Sequence, residues 1–390
     1  MSKANTSKNK VLLAAGGTGG HMFPASVLAE QLKAIDYEMH LATDTRGLAY
    51  VAQLTPMVQH KVPAATVFSS GILALPFRLV TLAFSILISL YLVQRLKPKV
   101  IVGFGGYPSF GPVMAGLILG RPVLVHEQNA VLGRVNRLAA HYGACVATSY
   151  NQTDKVPEAA AERLRRTGNP LRAAVLKAAQ TEYSEPTKSG GFELLVFGGS
   201  QGASVFSEIL PAAVQKLPKG LQNRLRIVQQ VRKVDMQTTL DTYGKLGVHA
   251  EMREFFDDLP ARMRRAHMVV SRGGASTIAE LAALGAPSLI VPLPGSLDQD
   301  QAVNAREIEH LGGALLLRQA AFTPEKLAEI LTQKMQDAEA LTAMSRQASA
   351  FGELDAAGRL SRYAHCLASG VPVQIDLPRP RQFNSEARHG

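Results

Sequence analysis

The stretch VLLAAGGTGG, residues 11–20, is matched half a chain length later by LLVFGGSQG, residues 194–202. Each begins with an apolar run of the length and composition of a buried parallel strand and then breaks into glycines before a helix. A glycine turn at the start of a helix presents bare N–H groups and the positive end of the helix dipole, which suits a phosphate or the close approach of a ligand. The repeated pattern predicts two nucleotide-binding-type domains.

Length and composition agree with two domains of mixed structure. The chain has 390 residues, and about 150 residues is usual for one domain. Hydrophobic residues make up 46% of the chain and charged residues 19%. Runs of Leu, Val and Ile alternate with Ala-rich helical stretches, which is typical of the α/β class.

The cysteines and the N-terminus both favour a reducing cytoplasm. Cys145 and Cys366 are the two cysteines, and neither stands in a CxxC or zinc spacing. The first ten residues are polar and basic and lead directly into the first strand, without the apolar core of a signal peptide. We therefore expect neither a disulfide framework nor export.

Positive charge is concentrated in the first part of the chain. Residues 1–170 contain 17 Lys and Arg against 8 Asp and Glu, and they supply most of the formal net charge of +11. A basic face suits nucleic acid, anionic lipid or an anionic substrate, although solvated surface is the plain alternative. Trp is absent and no aromatic residues interleave with the basic ones. We therefore expect no nucleic-acid partner.

The most hydrophobic stretch of the chain is residues 71–97. Residues 79–93 carry no charge, but this run is shorter than the ~20 apolar residues that a spanning helix needs. Basic residues flank it, and a predicted strand at residues 100–102 follows at once. Two interpretations remain open: a helix buried on the first sheet, or a helix whose apolar side lies in the headgroup region of an anionic membrane.

Polar side chains in the first half stand where ligands of parallel sheets bind. The loop GGTGGHMFP, residues 16–24, fits neither the dinucleotide fingerprint nor the P-loop, which disfavours an NAD-dependent oxidoreductase and an ATPase. His21 is a catalytic candidate there, with a structural histidine as the alternative. A second glycine loop, GFGGYPS, covers residues 103–109, and HEQN, residues 126–129, directly follows another apolar strand.

The second half contains a βαβ unit with a glycine-opened helix. SRGGASTIAE, residues 271–280, follows an apolar strand and suits a diphosphate. Glu280 could accept hydrogen bonds from ribose hydroxyls or could be an ordinary solvent-facing charge. DQDQ, residues 298–301, contains a DxD that could hold a divalent metal or could bind sugar hydroxyls. We favour the second interpretation and expect no metal and no cofactor.

Together these loops resemble the MurG family of bacterial N-acetylglucosaminyltransferases. The matching segments occur in order between residues 16 and 301: GGTGGHMFP, GFGGYPSFGP, HEQN, GNPLR, FGGSQGA, SRGGASTIAEL and DQDQ. The resemblance implies the GT-B fold, α/β with two Rossmann-like domains and a cleft between them. It also implies transfer of GlcNAc from UDP-GlcNAc to undecaprenyl-diphospho-muramoyl-pentapeptide (lipid I), giving lipid II for peptidoglycan synthesis.

The resemblance also assigns residues by position. UDP-GlcNAc contacts are implied for Thr18, Gly19, Gly20, Asn129, Arg172, Ser200, the main chain near Phe256, Ala275, Ser276, Thr277, Ile278, Ala279, Glu280 and Gln301. We assign the acceptor and its diphosphate to Gly16, Gly17, Gly105, Gly106 and Tyr107. For an inverting displacement His21 is the first candidate for the general base and Glu127 the second. Asp300 departs from the polar or Gln residue that is common in the family.

The resemblance further implies a peripheral enzyme on the cytoplasmic face of the inner membrane. Its partners would be the anionic membrane surface and other cell-wall and division enzymes. We predict an acceptor and membrane domain at residues 1–170, a donor domain at 171–345, a returning helix at 346–368 and a mobile tail at 369–390. The alternative functions are a glycolipid synthase acting on diacylglycerol, a UDP-GlcNAc 2-epimerase and a non-catalytic sugar-nucleotide-binding subunit.

Overall fold

The computed structural model describes residues 9–64, 75–187, 189–199, 204–296 and 299–372. The chain divides into two compact units. The first unit runs to Arg172 and resumes at Asp355, and the second unit is Ala173–Leu354. Ser200 and Asp298, both named by the sequence patterns, lie outside the described residues, as do residues 71–74 and the tail from residue 373 onward.

Within the described residues the first unit contains a seven-stranded parallel sheet. Its strands are β1 (Lys10–Ala14), β2 (Glu38–Thr43), β3 (Val58–Lys61), β4 (Val100–Gly103), β5 (Val123–Glu127), β6 (Cys145–Thr148) and β7 (Leu164–Arg166). Their order across the sheet is β3-β2-β1-β4-β5-β6-β7. The central strands are buried on both faces, which is why they are nearly continuous apolar runs and do not alternate.

Helices cover both faces of this sheet. The helices of the first unit are α1 (Gly19–Lys33), α2 (Thr45–Leu48), α3 (Leu75–Leu96), α4 (Phe110–Ile118), α5 (Arg134–His141) and, after the second unit, α15 (Ala356–Ser369). Val11 and Leu13 point to the face covered by α1 and α15. Leu12, between them, points to the opposite face, where α3, α4 and α5 pack. Short 3-10 turns occupy Val51–Gln53, Tyr107–Ser109 and Glu158–Arg163.

The second unit repeats this architecture with a six-stranded parallel sheet in its described residues. Its strands are β8 (Phe192–Phe197), β9 (Leu225–Gln230), β10 (His249–Arg253), β11 (Met268–Ser271), β12 (Ser288–Ile290) and β13 (Ala314–Leu316), in the order β10-β9-β8-β11-β12-β13. Its helices are α6 (Ala173–Ala178), α7 (Ser204–Lys216), α8 (Lys219–Arg224), α9 (Met236–Leu246), α10 (Leu259–Arg265), α11 (Ala275–Ala283), α12 (Asp300–His310), α13 (Pro324–Gln336) and α14 (Ala338–Phe351). Two 3-10 turns occupy Lys233–Asp235 and Gln319–Ala321.

The chain returns to the first unit later than the sequence pattern indicates. The expected returning helix, residues 346–368, is divided between two helices. Helix α14 stays in the second unit, where Leu341 and Met344 join its core. Helix α15 packs in the core of the first unit through Leu360, Tyr363 and Ala364. The change of unit therefore falls at Asp355, between the two helices.

Residues 75–96 of the apolar segment form α3, and the buried and exposed sides of this helix differ in composition. Ser85 and Ser89 are buried against α4, and a Cβ atom on Gly111 of α4 would collide with Ser85. Small residues on both helices thus allow their backbones to approach closely. The opposite side carries five apolar side chains that are 56–79% exposed: Phe77, Val80, Phe84, Leu87 and Tyr91. No helix in the described residues is long and apolar enough to cross a membrane.

Candidate active site

In each unit the strand order reverses at one point, and glycine loops follow the strands there. In the first unit the reversal falls between β1 and β4, which are followed by residues 15–18 and 104–109. In the second unit it falls between β8 and β11, whose following loops begin at Gly198 and Arg272. Open parallel sheets bind ligands outside the carboxyl ends of their strands at such a point. The topology therefore places all four loops at ligand-binding positions of their sheets.

The two glycine loops of the first unit contact each other. A Cβ atom on Gly16 would lie 2.6 Å from Cγ of Pro108, and one on Gly106 would lie 3.0 Å from the carbonyl oxygen of Gly16. Gly17, Gly105 and Gly106 have φ angles of 84°, 84° and 74°, which side chains rarely adopt. Glycine is therefore required here both by the backbone conformation and by the close approach of the two loops.

His21 lies between these loops. Its Nδ1 atom is 3.1 Å from the carbonyl oxygen of Gly16 and 3.4 Å from the hydroxyl of Thr18. Because a carbonyl oxygen only accepts hydrogen bonds, Nδ1 carries the proton in the neutral ring and Nε2 carries the lone pair. Burial lowers the pKa of His21 below 6.5, although the Gly16 carbonyl acts in the opposite direction. The imidazole is thus neutral near pH 7 and can accept a proton through Nε2.

His126 and Gln128 of the HEQN segment are buried and bonded to one another. His126 Nε2 donates to the carbonyl oxygen of Gly168 at 2.9 Å, and His126 Nδ1 accepts from Gln128 Nε2 at 2.9 Å. Burial lowers the pKa of His126 to about 4, despite its hydrogen bond to Gly168. Both ring nitrogens of His126 are hydrogen-bonded, so this side chain links β5 to the turn that follows β7.

Glu127 also has a set of fixed partners. Its Oε1 accepts hydrogen bonds from the main-chain and side-chain nitrogens of Asn129 at 3.1 and 3.2 Å. Its Oε2 accepts from Gly133 N at 2.8 Å and from Asn136 Nδ2 at 2.9 Å. Burial raises the pKa of Glu127, and these four bonds lower it. These four bonds fix the Glu127 carboxylate at the start of α5. His21 stays the first candidate for the general base and Glu127 the second.

Two residues near the first glycine loop were not identified from the sequence. Asp44, just after β2, accepts a hydrogen bond from Gly47 N at 2.9 Å through Oδ1 and from Arg46 Nε at 3.0 Å through Oδ2. The exposed Arg46 guanidinium is thereby directed toward the loop, and a Cβ atom on Gly17 would lie 3.8 Å from its Nη2. The position of Asp44 at a strand end was the available signal.

Arg172 ends the first segment of this unit. It lies near the same glycine loop, next to the aromatic pair formed by Phe23 and Tyr50. Its guanidinium carbon lies 5.4 Å from the centre of the Phe23 ring. Tyr50 meets Phe23 edge to face at 6.1 Å between ring centres. A Cβ atom on Gly19 would lie 2.9 Å from the Phe23 ring. The structure thus brings Arg172 and Gly19, two of the residues assigned to UDP-GlcNAc, to one aromatic side chain.

In the second unit the loop after β8 is connected to the loop after β10. Gly199 has a φ of 84°, which matches Gly17 in the first unit. Gly198 N donates a hydrogen bond to Oε1 of Gln230 at 3.2 Å. Nε2 of the same side chain donates to the carbonyl oxygen of Glu254 at 3.0 Å. Gln230 was not identified from the sequence, because the contact depends on how three strands lie side by side.

The loop that precedes α11 is closely packed. A Cβ atom on Gly273 would collide with the main chain of Gln301, and Asn304 Nδ2 donates to the Gly273 carbonyl oxygen at 3.1 Å. Gly274 is the N-cap of α11, and this residue has no side chain with which to cap the helix. The helix therefore presents its first N–H groups, including those of Ala275, Ser276 and Thr277, without a side-chain cap.

Glu280 does not face solvent. It lies on α11 with Ile278 and Ala279, and it is 8% exposed. The alternative that Glu280 is an ordinary surface charge is therefore wrong. A buried carboxylate requires polar partners, which is compatible with the ribose contact that the resemblance implies.

The Phe256 loop, residues 254–257, is fixed by an arginine on α10. Arg262 donates to both carboxylate oxygens of Glu251 at 2.7 and 2.9 Å and to Asp258 at 2.7 Å. Its guanidinium carbon lies 4.5 Å from the centre of the Phe256 ring. These contacts raise the pKa of Arg262 and lower the pKa of both carboxyl groups. The main chain at Phe256 is therefore held in a defined position.

The DQDQ segment is only partly described. Asp300 begins α12, and Gln301 accepts a hydrogen bond from Leu293 N at 3.0 Å through Oε1. Its side-chain amide nitrogen therefore points away from that bond. Among the residues that the structure describes, no three His, Cys, Asp or Glu side chains are grouped so that they could hold a metal ion.

The chain is similar to known proteins over nearly its whole length. The profile of the glycosyltransferase family 28 N-terminal domain matches residues 11–148, and that of the C-terminal domain matches residues 193–360. Relatives from Brucella abortus (strain S19) and Brucella suis (strain ATCC 23445 / NCTC 10510) are 44% identical over 93% of this chain and 96% of theirs. Both are named UDP-N-acetylglucosamine--N-acetylmuramyl-(pentapeptide) pyrophosphoryl-undecaprenol N-acetylglucosamine transferase.

Solved structures give the same fold. The crystal structure of Acinetobacter baumannii MurG has 25% identity and a TM-score of 0.76, and the match covers 92% of this chain and 99% of that one. A putative UDP-N-acetylglucosamine 2-epimerase from Listeria monocytogenes shares the fold at 15% identity and a TM-score of 0.63, over 97% of this chain and 100% of that one. The chain is therefore a glycosyltransferase of family 28 with the GT-B fold, and it belongs to the MurG family.

Proposed function

We propose that this enzyme transfers N-acetylglucosamine from UDP-GlcNAc to the muramoyl 4-hydroxyl of lipid I, giving lipid II. The observation that carries the proposal is the near full-length match to the Brucella relatives, whose name contains both substrates. The family motifs between residues 16 and 301 support the same assignment.

The proposed reaction is a single displacement with inversion. The acceptor hydroxyl attacks the anomeric carbon of UDP-α-GlcNAc on the face opposite the diphosphate, and the bond from that carbon to the diphosphate oxygen breaks with its electrons leaving on UDP. Nε2 of His21 takes the hydroxyl proton, because Nδ1–H is committed to the Gly16 carbonyl oxygen. A lowered pKa keeps this base unprotonated at neutral pH.

The donor would be held mainly by the second unit. The uncapped N–H groups of Ala275, Ser276 and Thr277 suit the diphosphate, and their fixed dipoles stabilise the charge that develops on UDP. Glu280 would accept hydrogen bonds from the ribose, and the main chain at Phe256 would contact the uracil base of UDP. Gln301 would contact the GlcNAc sugar. The family resemblance assigns six further residues to the donor: Thr18, Gly19, Gly20, Asn129, Arg172 and Ser200.

The acceptor diphosphate would lie at the paired glycine loops of the first unit. Gly16, Gly17, Gly105, Gly106 and Tyr107 form these loops together with His21, so an acceptor bound there would present its hydroxyl near the base. Charge on the diphosphates is balanced in this proposal by helix N-termini and arginines. Loss of turnover with chelator and recovery with magnesium would contradict that part and favour the DxD as a metal site.

We further propose that α3 docks on the anionic cytoplasmic face of the inner membrane. Its exposed stripe, Phe77 to Tyr91, is apolar, and basic residues lie at both ends of the helix: Arg78, Arg95, Lys97 and Lys99. An apolar face bordered by cations matches a bilayer surface of anionic lipid. An acceptor carried by an undecaprenyl chain also requires the enzyme to work at that surface.

The test is turnover by the isolated full-length protein with UDP-GlcNAc and either lipid I or diacylglycerol. We expect UDP release and a disaccharide-linked lipid product with lipid I alone. Product from diacylglycerol alone would identify a glycolipid synthase. Conversion of UDP-GlcNAc without an acceptor would identify an epimerase, and absence of turnover together with UDP binding would identify a binding subunit.

A further inference from the structure

One buried amide side chain joins two loops that the sequence patterns treat separately. Gln230 ends β9, whose neighbours in the sheet are β8 on one side and β10 on the other. Its Oε1 accepts from Gly198 N, in the loop after β8, and its Nε2 donates to the Glu254 carbonyl oxygen, in the loop after β10. Both partners are main-chain atoms, so the link fixes backbone positions.

These loops would hold different parts of one ligand. This inference rests on the proposed function, in which the loop after β8 contacts UDP-GlcNAc. The main chain at Phe256 contacts the uracil base of the same ligand. Arg262 anchors the Phe256 loop to the strand before it, β10, and to the helix after it, α10. The Gln230 side chain hydrogen-bonds to the main chain of both loops. The spacing of the two loops therefore depends on an amide that can accept at one end and donate at the other.

We propose that Gln230 is a positioning residue for the nucleotide part of the donor, because it sets the spacing between the loop at Gly198 and the loop at Glu254. Its effect is on binding of the uridine diphosphate portion. The attack step of the proposed reaction uses His21 of the first unit and not the Gln230 link, so we expect the maximal rate not to depend on this link.

The neighbouring glutamine supplies a matched control. Gln229 precedes Gln230 in β9, is also buried, and accepts a hydrogen bond from the Tyr243 hydroxyl at 2.7 Å. Gln229→Met removes a buried hydrogen bond in the core of the same sheet without touching either loop. Gln230→Met removes both loop contacts, and Gln230→Glu keeps an acceptor for Gly198 N but cannot donate to Glu254.

The experiment is calorimetric titration of the full-length protein and its variants with UDP alone, followed by steady-state kinetics. We expect Gln230→Met and Gln230→Glu to weaken UDP binding about 5- to 30-fold and to raise KM for UDP-GlcNAc similarly, which is the range for one or two buried hydrogen bonds. We expect kcat and the KM for lipid I to stay within about twofold, as for lost ground-state binding. Gln229→Met should lower Tm and leave UDP binding unchanged.

The outcomes separate the inference from the proposed function. Failure of the unmodified protein to bind UDP would overturn both. UDP binding by the unmodified protein and equally tight binding by both Gln230 variants would overturn the inference alone. Equal weakening by Gln229→Met would also overturn it, since the effect would then be a general loosening of the sheet. If Gln230→Met does not fold, the Glu variant decides by the same criteria.

Discussion

The Nδ1 atom of His21 lies 3.1 Å from the carbonyl oxygen of Gly16, so the glycine loop itself fixes the tautomer of the candidate base. The same residue whose lack of a side chain admits Pro108 also orients the imidazole. Loop shape and base orientation are therefore one feature of the sequence GGTGGH.

His21→Ala should lower kcat with saturating substrates by about 10²- to 10⁴-fold, the usual contribution of a general base. Because burial lowers the pKa of His21 below 6.5, the acidic limb of the rate profile of the unmodified enzyme should lie below pH 6.5 and should disappear in the variant. His141→Ala, at an exposed histidine of α5, is the control. Near-normal turnover by His21→Ala would remove the base assignment.

Glu127→Gln should mainly change stability. The carboxylate accepts four hydrogen bonds, and an amide nitrogen in place of either oxygen would face donors. We expect the free energy of unfolding to fall by about 1–3 kcal/mol, the cost of unsatisfied buried groups. Denaturant unfolding and kcat are measured together. A large drop in kcat with unchanged stability would instead support Glu127 as the base.

Much of the fold is predictable because its signals are local. An apolar run that ends in glycines at Gly16 and again at Gly198 indicates a strand, a turn and a helix in each unit, and the parallel sheets confirm the predicted fold class. The contacts of Arg46 and Gln230 could not be predicted in this way. They depend on which loops become neighbours when the strands are ordered β2-β1-β4 and β10-β9-β8.

Two helices show where periodicity gives an incomplete answer. The apolar spacing of α14 and α15 is similar, and it does not specify which of two cores each helix joins.

In α3 the buried side carries Ser85 and Ser89 while Phe84 and Leu87 are exposed. A rule that buries the most hydrophobic side would orient this helix wrongly. Close packing on Gly111 explains the observed orientation, because only small residues fit there.

Arg46→Gln should weaken use of the acceptor. The guanidinium is held by Asp44 beside Gly17, where the acceptor diphosphate is proposed to lie. Loss of a charge-assisted hydrogen bond should raise KM for lipid I about 10- to 100-fold and leave UDP binding unchanged. Lys33→Gln removes the same charge from an exposed site at the far end of α1 and serves as the control. An equal rise in KM for both variants would indicate a general charge effect.

Acid should destabilise the protein partly through His126. Above pH 6.5 this histidine is neutral in both the folded and the unfolded chain. As the pH falls from 6.5 toward 4 the unfolded chain takes up the proton and the folded chain does not, so stability decreases by about 3 kcal/mol over that window. Urea unfolding of His126→Gln should show a shallower pH dependence, whereas His141→Gln should keep the slope. Glu127, whose raised pKa acts in the opposite direction, contributes equally to both variants.

The exposed stripe of α3 should control membrane binding without affecting the chemistry. Phe84 and Leu87 are 56% and 61% exposed, so Phe84→Glu with Leu87→Glu should leave the fold intact. Each lost side chain removes about 1.5–3 kcal/mol of apolar burial, so binding to anionic vesicles should fall by about 100-fold or more in flotation. Val234→Glu, at an exposed apolar residue of the second unit, is a control that adds one of the two negative charges. Turnover of a water-soluble acceptor should be unchanged in all variants. Flotation of the double variant at the level of the control would exclude α3 as the docking helix, because the loss of two exposed apolar side chains from its stripe would then have had no effect on binding.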